Sequence, residues 1–323
     1  MRRFVALLLA CSLSMAASAQ PAGYPQRPVR LLVGFAAGGS VDTAARILAE
    51  GLRSRLPQPV VVENRPGASG LLAGDTVARS EPDGLTLFFT SNGALTITPH
   101  LVSKSPFQPL SDFAPITRVA QVDAVLVTHP SIPATDFRSF LALVKAAPGK
   151  FAFASSGNGG PTHLAGELLK RDAGIELLHV PYKGDSPALV DIMGGAIAFG
   201  IPVIPSAAPF IKSGRLRALA SFGEHRLPDF PDVPTIAESG YPSVSAGAWY
   251  AVVAPAKTPA AIVTLLNERI SATLADPEVA RKLVAAGMQP SAASTPGATA
   301  SYIKSEYDKW GALIRSARIE PIN

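Results

Sequence analysis

Cysteine is almost missing from this chain: Cys11 is the only one among 323 residues. A lone thiol makes no intrachain disulfide and is too little for a cysteine-based metal site. The five histidines are dispersed, with no H-x-x-x-H pair and no metal-ligand cluster. Neither a metal nor any other cofactor is expected. Charge is scarce as well, at 16% of residues, and the net +5 comes from scattered lysines and arginines rather than from a block. No basic strand interleaved with aromatics occurs, so nucleic acid is not an expected partner. The basic residues read as solvated faces with a modest bias towards anionic ligands. Long apolar runs are lacking too. The stretch at residues 4–13 is much shorter than the roughly 20 residues a spanning helix needs, and no other is long enough.

That N-terminal stretch has a telling order. Arg2 and Arg3 precede it, and Ala17-Ser18-Ala19 follows, just ahead of Gln20. Basic, then apolar, then small is the pattern of a secretory signal peptide over residues 1–19, with the mature chain expected in the periplasm. Leu8-Leu9-Ala10-Cys11 offers a lipoprotein-like alternative, although it cuts the apolar region very short. Cleavage after Ala19 would leave no cysteine, hence no thiol catalysis and no need for a disulfide in an oxidising compartment.

The remainder is long enough for two domains, and 47% apolar residues suit a large core. Strand candidates at 29–33, 60–62 and 85–89 alternate with helical patterns, one marked by Ile47, Leu48, Leu52 and Leu56 and one at 68–78. A second block of the same kind starts with a strand at 122–128. It continues with a helix at 137–147 stopped by Pro148-Gly149, a strand at 151–154 and a helix at 162–171. A strand at 177–180 then leads to a helix at 186–193 begun by Asp185 and Pro187. Residues 197–204, 216–221 and 249–254 add strand candidates, and 259–274, 277–286 and 301–316 are helical. Such alternation argues for an α/β fold, with parallel sheets covered by helices. Two blocks and a helical tail suggest two lobes around a ligand cleft. Lobe 1 is placed at 20–121 plus 255–323 and lobe 2 at 122–247, with chain crossings near 122–127 and 249–254.

The most informative segment runs from Gly34 through Phe35, Ala36, Ala37, Gly38, Gly39 and Ser40 to Asp42, after a strand and into a helix. Glycine lets backbone amides approach a ligand closely, and the first amides of a helix have no partner within it, so they can bind an anion. Gly39 and Gly159 are the positions where a side chain is expected to do most harm. An ordinary strand-to-helix turn has the same spacing. The pattern is neither G-x-G-x-x-G nor a P-loop, which argues against nucleotide binding. Ser155, Ser156, Gly157, Asn158, Gly159, Thr162 and His163 repeat the arrangement in the second block, with Pro161 in the first helical turn. One such start per lobe could close on a carboxylate from both sides.

Further segments extend the pattern: Tyr24-Pro25 with Pro28-Val29-Arg30, the Gly38-Gly39-x-x-Asp42 turn, Glu63-Asn64-Arg65-Pro66-Gly67-Ala68 and Pro82-Asp83-Gly84. Next come Gly157-Asn158-Gly159, His163-Leu164-Ala165-Gly166-Glu167, Val180-Pro181-Tyr182-Lys183-Gly184, Leu216-Arg217-Ala218-Leu219-Ala220 and Asp232-Val233-Pro234-Thr235. In this order, and over nearly the whole mature chain, they resemble the Bug-type extracytoplasmic receptors, the solute receptors of tripartite tricarboxylate transporters. The resemblance implies a two-lobe periplasmic binding-protein (Venus-flytrap) fold, each lobe a mostly parallel sheet flanked by helices. It implies a ligand carboxylate held mainly by backbone amides and waters, between residues 35–42 and 155–163. Ala68, Ser69, Gly70, Ser91, Asn92, Tyr182 and Lys183 are the walls it implies. The family often carries an acid where this chain has Gly200, which points to a ligand whose distal end is uncharged, provided Gly200 faces the cleft.

The expected function is capture of a small organic acid or amino acid by a monomeric, non-enzymatic receptor, and its delivery to transporter membrane subunits. A sensor presenting its closed form to a sensor kinase is the alternative, and a hydrolase a third. Gly67-Ala68-Ser69-Gly70-Leu71 misses the G-x-S-x-G elbow at its last residue. His163 reads as a helix-start histidine bonding nearby backbone and Asp42 as a first-turn charge steadying its helix. Lys183 could pair with a second carboxylate or stay solvated. Tyr182 could touch the ligand or be a half-buried core residue.

Overall fold

Four of the five residues of β1 (Val29–Val33) and all six of β3 (Thr86–Ser91) are buried. Strands apolar on both faces need helices on both faces, and the computed structural model supplies them. It describes residues 23–322 except 224, 245–246, 318 and 320; the proposed signal segment and Cys11 lie outside the described residues. After β1 come α1 (Ser40–Leu52), β2 (Val60–Asn64), α2 (Leu71–Ala78) and β3, then β4 (Phe113–Asp123) and β5 (Val125–Thr128). Next are α3 (Phe137–Ala146), β6 (Ala152–Ser155), α4 (Pro161–Ala173), β7 (Leu178–Pro181), α5 (Asp185–Met193), β8 (Phe199–Gly200), α6 (Ile204–Lys212) and β9 (Arg217–Ser221). The chain then returns through β10 (Gly247–Pro255), α7 (Ala260–Leu274), α8 (Pro277–Ala285), β11 (Gln289–Pro290) and α9 (Pro296–Ala317).

Two sheets result. One has the order β11-β4-β10-β3-β1-β2 and the other β7-β6-β8-β5-β9. Parallel pairing joins β1 to β2 and β3, and β6 to β7 and β8. The strands that follow or precede a crossing between the sheets, β4, β5 and β10, all pair antiparallel. Both sheets are therefore mixed: the β–α–β units are parallel as expected, and the crossing strands are not. The run read as one strand at 122–128 is two, which part at Ala124 and enter different sheets. The run at 197–204 is a two-residue strand followed by a helix, because Pro205 at the first helical turn suits an α-helix start and not a ladder. The helix expected at 68–78 begins only at Leu71. Ala68, Ser69 and Gly70 take positive φ of 47, 50 and 95° and form a separate turn.

The first sheet carries one core against α1, α7 and α8, centred on Leu31, Leu48, Phe89, Tyr250 and Leu266, and a second against α2 and α9. The second sheet is packed on both faces as well, around Phe140, Phe153 and Phe199 on one and Leu189 and Ile192 on the other. Helix α9 ties the halves together: its Ile303 joins the first sheet, while Trp310 and Ile314 meet Ile97, Leu101 and Leu164 of α4. Among the described residues no helix is long and apolar enough to cross a membrane.

Candidate functional site

Three helices begin at one small cavity of about 20 Å³ between the sheets. Its lining includes Gly39 and Ser40 of α1, Pro161 and Thr162 of α4, and Gly184 and Asp185 of α5. That volume holds about one water-sized group. The N-cap residues are Gly39, Gly160 and Gly184, and none of the three helices has a side-chain cap. By contrast, α3 and α8 are capped by the Asp136 and Asp276 carboxylates. A glycine start leaves first-turn amides and the positive helix end for an outside acceptor. An adjoining cavity of about 170 Å³ shares Phe35 and Ser156 with the first and is lined further by Ala68, Ser69, Gly157, Asn158, Tyr182 and Lys183.

The lobes meet around these cavities through polar contacts. The Ala36 amide donates to the Lys183 carbonyl at 3.0 Å. Ser69 Oγ donates to the Asn158 carbonyl at 2.6 Å and Thr98 Oγ1 to the Gly159 carbonyl at 2.9 Å. The Ser40 amide donates to Ser206 Oγ at 3.1 Å. The left-handed conformations of Ala68 and Ser69, costly for residues other than glycine, belong to the turn that carries Ser69 to this contact.

Of the expected site residues, Phe35, Ala36, Gly39, Ser40, Ser91, Ser156 and Thr162 line the small cavity; Phe35 and Ser156 line the larger one too, with Ala68, Ser69, Gly157, Asn158, Tyr182 and Lys183. The others stand behind. Ala37 is exposed and its carbonyl accepts from Ser186 Oγ. The Gly38 amide donates to Asp42, whose buried carboxylate also accepts from Arg46 Nε and Asn64 Nδ2. Burial raises the Asp42 pKa, but these hydrogen bonds outweigh it and the net shift is downward. Gly70 packs against Gly34, where a Cβ would come within 2.4 Å of the Gly70 Cα. Asn92 donates to the Gly247 carbonyl, and Gly159 faces Thr98 and Ile322. The requirement for glycine holds at Gly159, which has φ 72° and where a Cβ would lie 2.6 Å from Ile322 Cδ1, but not at Gly39. Gly39 has φ −83°, and a Cβ there finds nothing closer than 3.6 Å, so its side-chain-free state is not dictated by the turn.

Ser155 is fully buried and does not reach either cavity. Its Oγ lies 2.7 Å from His179 Nε2 and 3.2 Å from the Gly157 carbonyl. His163 accepts from the Gly159 amide at Nδ1 and stacks on His179 with ring centroids 3.8 Å apart. Burial, reinforced by the charge of His163, lowers the His179 pKa to about 3. The Ser–His contact is thus part of the loop's foundation rather than a nucleophile facing a substrate. Tyr182 directs its hydroxyl away, onto Asp191 Oδ2 at 2.5 Å, and burial and that contact raise it to about 12. Gly200 packs under α5, where a Cβ would sit 2.2 Å from Ile192 Cδ1, so it offers the cleft no side chain and the inference drawn from it falls.

The acid that does reach the cleft is Asp185. It is 5% exposed, its Oδ2 accepts from Ser206 Oγ at 3.0 Å and Ser40 Oγ at 3.5 Å, and its Oδ1 has no partner. Burial, partly offset by these bonds and the Val203 amide, raises its pKa to about 6. Tyr250 donates to Ser40 Oγ at 2.7 Å from β10. Sequence reading missed Asp185, Ser206 and Tyr250. The signal for Asp185 was present: residues 182–185 form a third strand-to-helix turn of the same kind as the other two. A larger cavity, about 660 Å³, lies against the crossing strands and α9. There Glu306 accepts from Trp249 and Trp310 and pairs with Lys309.

Two lobes joined by crossing strands, with uncapped helix starts facing a small cavity between them, define a solute-binding protein of the periplasmic type. The family model of the tripartite tricarboxylate transporter family receptor matches residues 44–319. The chain is 41% identical over 293 residues to the protein BugT of Bordetella pertussis, covering 90% of each chain. Its structure matches the periplasmic binding protein BugD with a TM-score of 0.88 at 34% identity, over 92% of this chain and 99% of that one. It matches R. palustris Rpa4515 with adipate with a TM-score of 0.89 at 32% identity, over 93% and 100%. The chain belongs to the tripartite tricarboxylate transporter receptor family.

Proposed function

We propose that the protein is an exported receptor that closes on a small carboxylate and hands it to the membrane subunits of a tripartite transporter, without catalysing a reaction. The observation that carries this reading is the convergence of three glycine-started helices on one interlobe cavity. Apart from the Ser40 amide, which donates to Ser206 Oγ, and from Pro161 and Pro187, which have no N–H, their first-turn amides offer a preorganised carboxylate cradle. Adipate bound to a relative with the same fold supports an organic acid as ligand. The polar contacts across the cleft support a closure of the lobes about a hinge. The signal-like N-terminus supports the periplasm as the place of action.

Mass spectrometry of ligand released from gently purified, denatured protein identifies the acid. That acid at 100 times its dissociation constant should raise stability by about 2.7 kcal/mol, read as a melting-temperature shift. Its methyl ester should shift the melt far less. Equal shifts from acid and ester would refute the carboxylate cradle.

A further inference from the structure

The unpartnered Oδ1 of Asp185 is an odd lining for a cavity meant for anions. A second carboxylate placed there would meet an unpaired buried carboxylate in a low-dielectric setting, which is strongly unfavourable. A positively charged donor would meet the reverse. Among the described residues the recorded hydrogen-bond partners of Asp185 are the hydroxyls of Ser40 on α1 and Ser206 on α6 and the Val203 amide. Tyr250 of β10 is a titratable group that senses it, and among the described residues no cation pairs with it. Ser91 Oγ lines the same cavity and is likewise buried without a partner. Two buried acceptors without a partner, one of them anionic, thus belong to residues that line a space of about 20 Å³, enough for a single water-sized group such as an ammonium. The neighbouring cavity, reached past Phe35 and Ser156, has room for the rest of a small molecule.

We propose that Asp185 is the specificity-determining residue of this receptor, and that it selects carboxylates bearing an adjacent ammonium group, the amino acids, over acids that carry only oxygen. The inference rests on the carboxylate reading above and names its substrate class. The ligand carboxylate lies where the two cavities meet, beside Phe35 and Ser156. The ammonium donates to Asp185 Oδ1 and Ser91 Oγ.

The test is isothermal titration of the full mature protein with matched pairs that differ only in amine against hydroxyl: L-alanine and L-lactate, L-aspartate and L-malate, L-phenylalanine and L-phenyllactate. In the pair that binds best, the amino acid should bind at least tenfold more tightly. Asp185→Asn keeps an oxygen for Ser206 and should reduce that ratio at least tenfold. A second readout needs no variant. The Asp185 carboxyl, raised to about 6, takes up a proton between pH 7.5 and 5. Amino-acid affinity should fall at least threefold over that range while hydroxy-acid affinity does not. A hydroxy acid that binds as tightly as its amine partner, a ratio unchanged in Asp185→Asn, or an amino-acid affinity flat with pH overturns the proposal. Binding of oxygen-only acids with no binding of any amino acid also overturns it, yet leaves the carboxylate reading standing. Binding of the methyl esters as tightly as the acids removes that reading instead.

Discussion

A methyl group added at Gly157 tests whether the closed cleft is the binding form. A Cβ there would lie 2.5 Å from Ser69 Oγ and 3.5 Å from the Ser69 Cα and Cβ. Gly157 follows β6 in one lobe, and Ser69 belongs to the turn before α2 in the other. The clash therefore exists only when the lobes are shut, and each lobe should fold unharmed. Ser69 escapes only by giving up its 2.6 Å bond to the Asn158 carbonyl or by standing off. Overpacking of this kind costs about 1–3 kcal/mol, so Gly157→Ala should weaken ligand binding about 5- to 150-fold. Ser69→Ala alone removes one hydrogen bond, about 0.5–1.5 kcal/mol. In the double variant the nearest remaining contact at that position is the ordinary 3.5 Å one, so it should bind no worse than Ser69→Ala. Gly39→Ala, with nothing nearer than 3.6 Å, should be close to wild type. The assay is isothermal titration with the acid identified from the purified protein, beside ligand-free melting curves. The reasoning is refuted if Gly157→Ala lowers the ligand-free melting temperature enough to explain its binding loss, or if Ser69→Ala fails to rescue it.

Stability should depend on pH through His179. Its folded pKa is lowered to about 3 from 6.5, so the unfolded state takes up the proton first. This contribution is complete above pH 6.5 and should fall by about 2 kcal/mol on going to pH 5, while Asp185, whose raised pKa of about 6 makes the folded state take up its proton first, returns about 1 kcal/mol over the same window. Urea unfolding of the wild type and His179→Gln at both pH values checks this, since the wild type should lose about 2 kcal/mol relative to the variant between them. Glu167, held down at about 2, does not contribute in that window. Asp42→Ala should cost about 1–3 kcal/mol by stranding the Gly38 amide and Asn64. It should also weaken binding by loosening the loop, and an unchanged urea midpoint would show that the carboxylate is not its prop.

Local rules made most of the β–α–β core legible. Apolar runs and glycine-rich turns marked β1, β2, β3, β6 and β7 to within a residue or two at most ends. The crossing was harder, because β4 and β5 are one apolar run in sequence and part only through the sheets each joins. α6 was hidden because 197–204 has strand-like composition, and its start is decided by Pro205 rather than by periodicity. In the site, turn chemistry located Ser40, Ser156, Gly157 and Thr162. It could not separate them from Asp42, Ser155 and His163, which lie in the same turns but point into the support beneath. Tyr250 and Ser206 lie 210 and 166 residues from Ser40, and no local pattern announces such a meeting.

The closed form is balanced by terms of similar size. Each hydrogen bond across the cleft, such as Ser69 to Asn158 or Thr98 to Gly159, contributes about 0.5–1.5 kcal/mol net. Against them stands Asp185. A rise from 3.8 to about 6 corresponds to a penalty of about 3 kcal/mol on its ionised form. Ser40 and Tyr250 come from one lobe and Ser206 from the helices of the other, so closure itself completes the burial of the charge. Without a ligand the latch bonds and the stranded charge largely offset one another. A ligand that supplies the missing cation keeps the first and removes the second. It can bias the equilibrium only by this difference in its affinity for the two states. On the proposed reading, part of that difference lies at Asp185 and the rest at the helix starts that hold the ligand carboxylate.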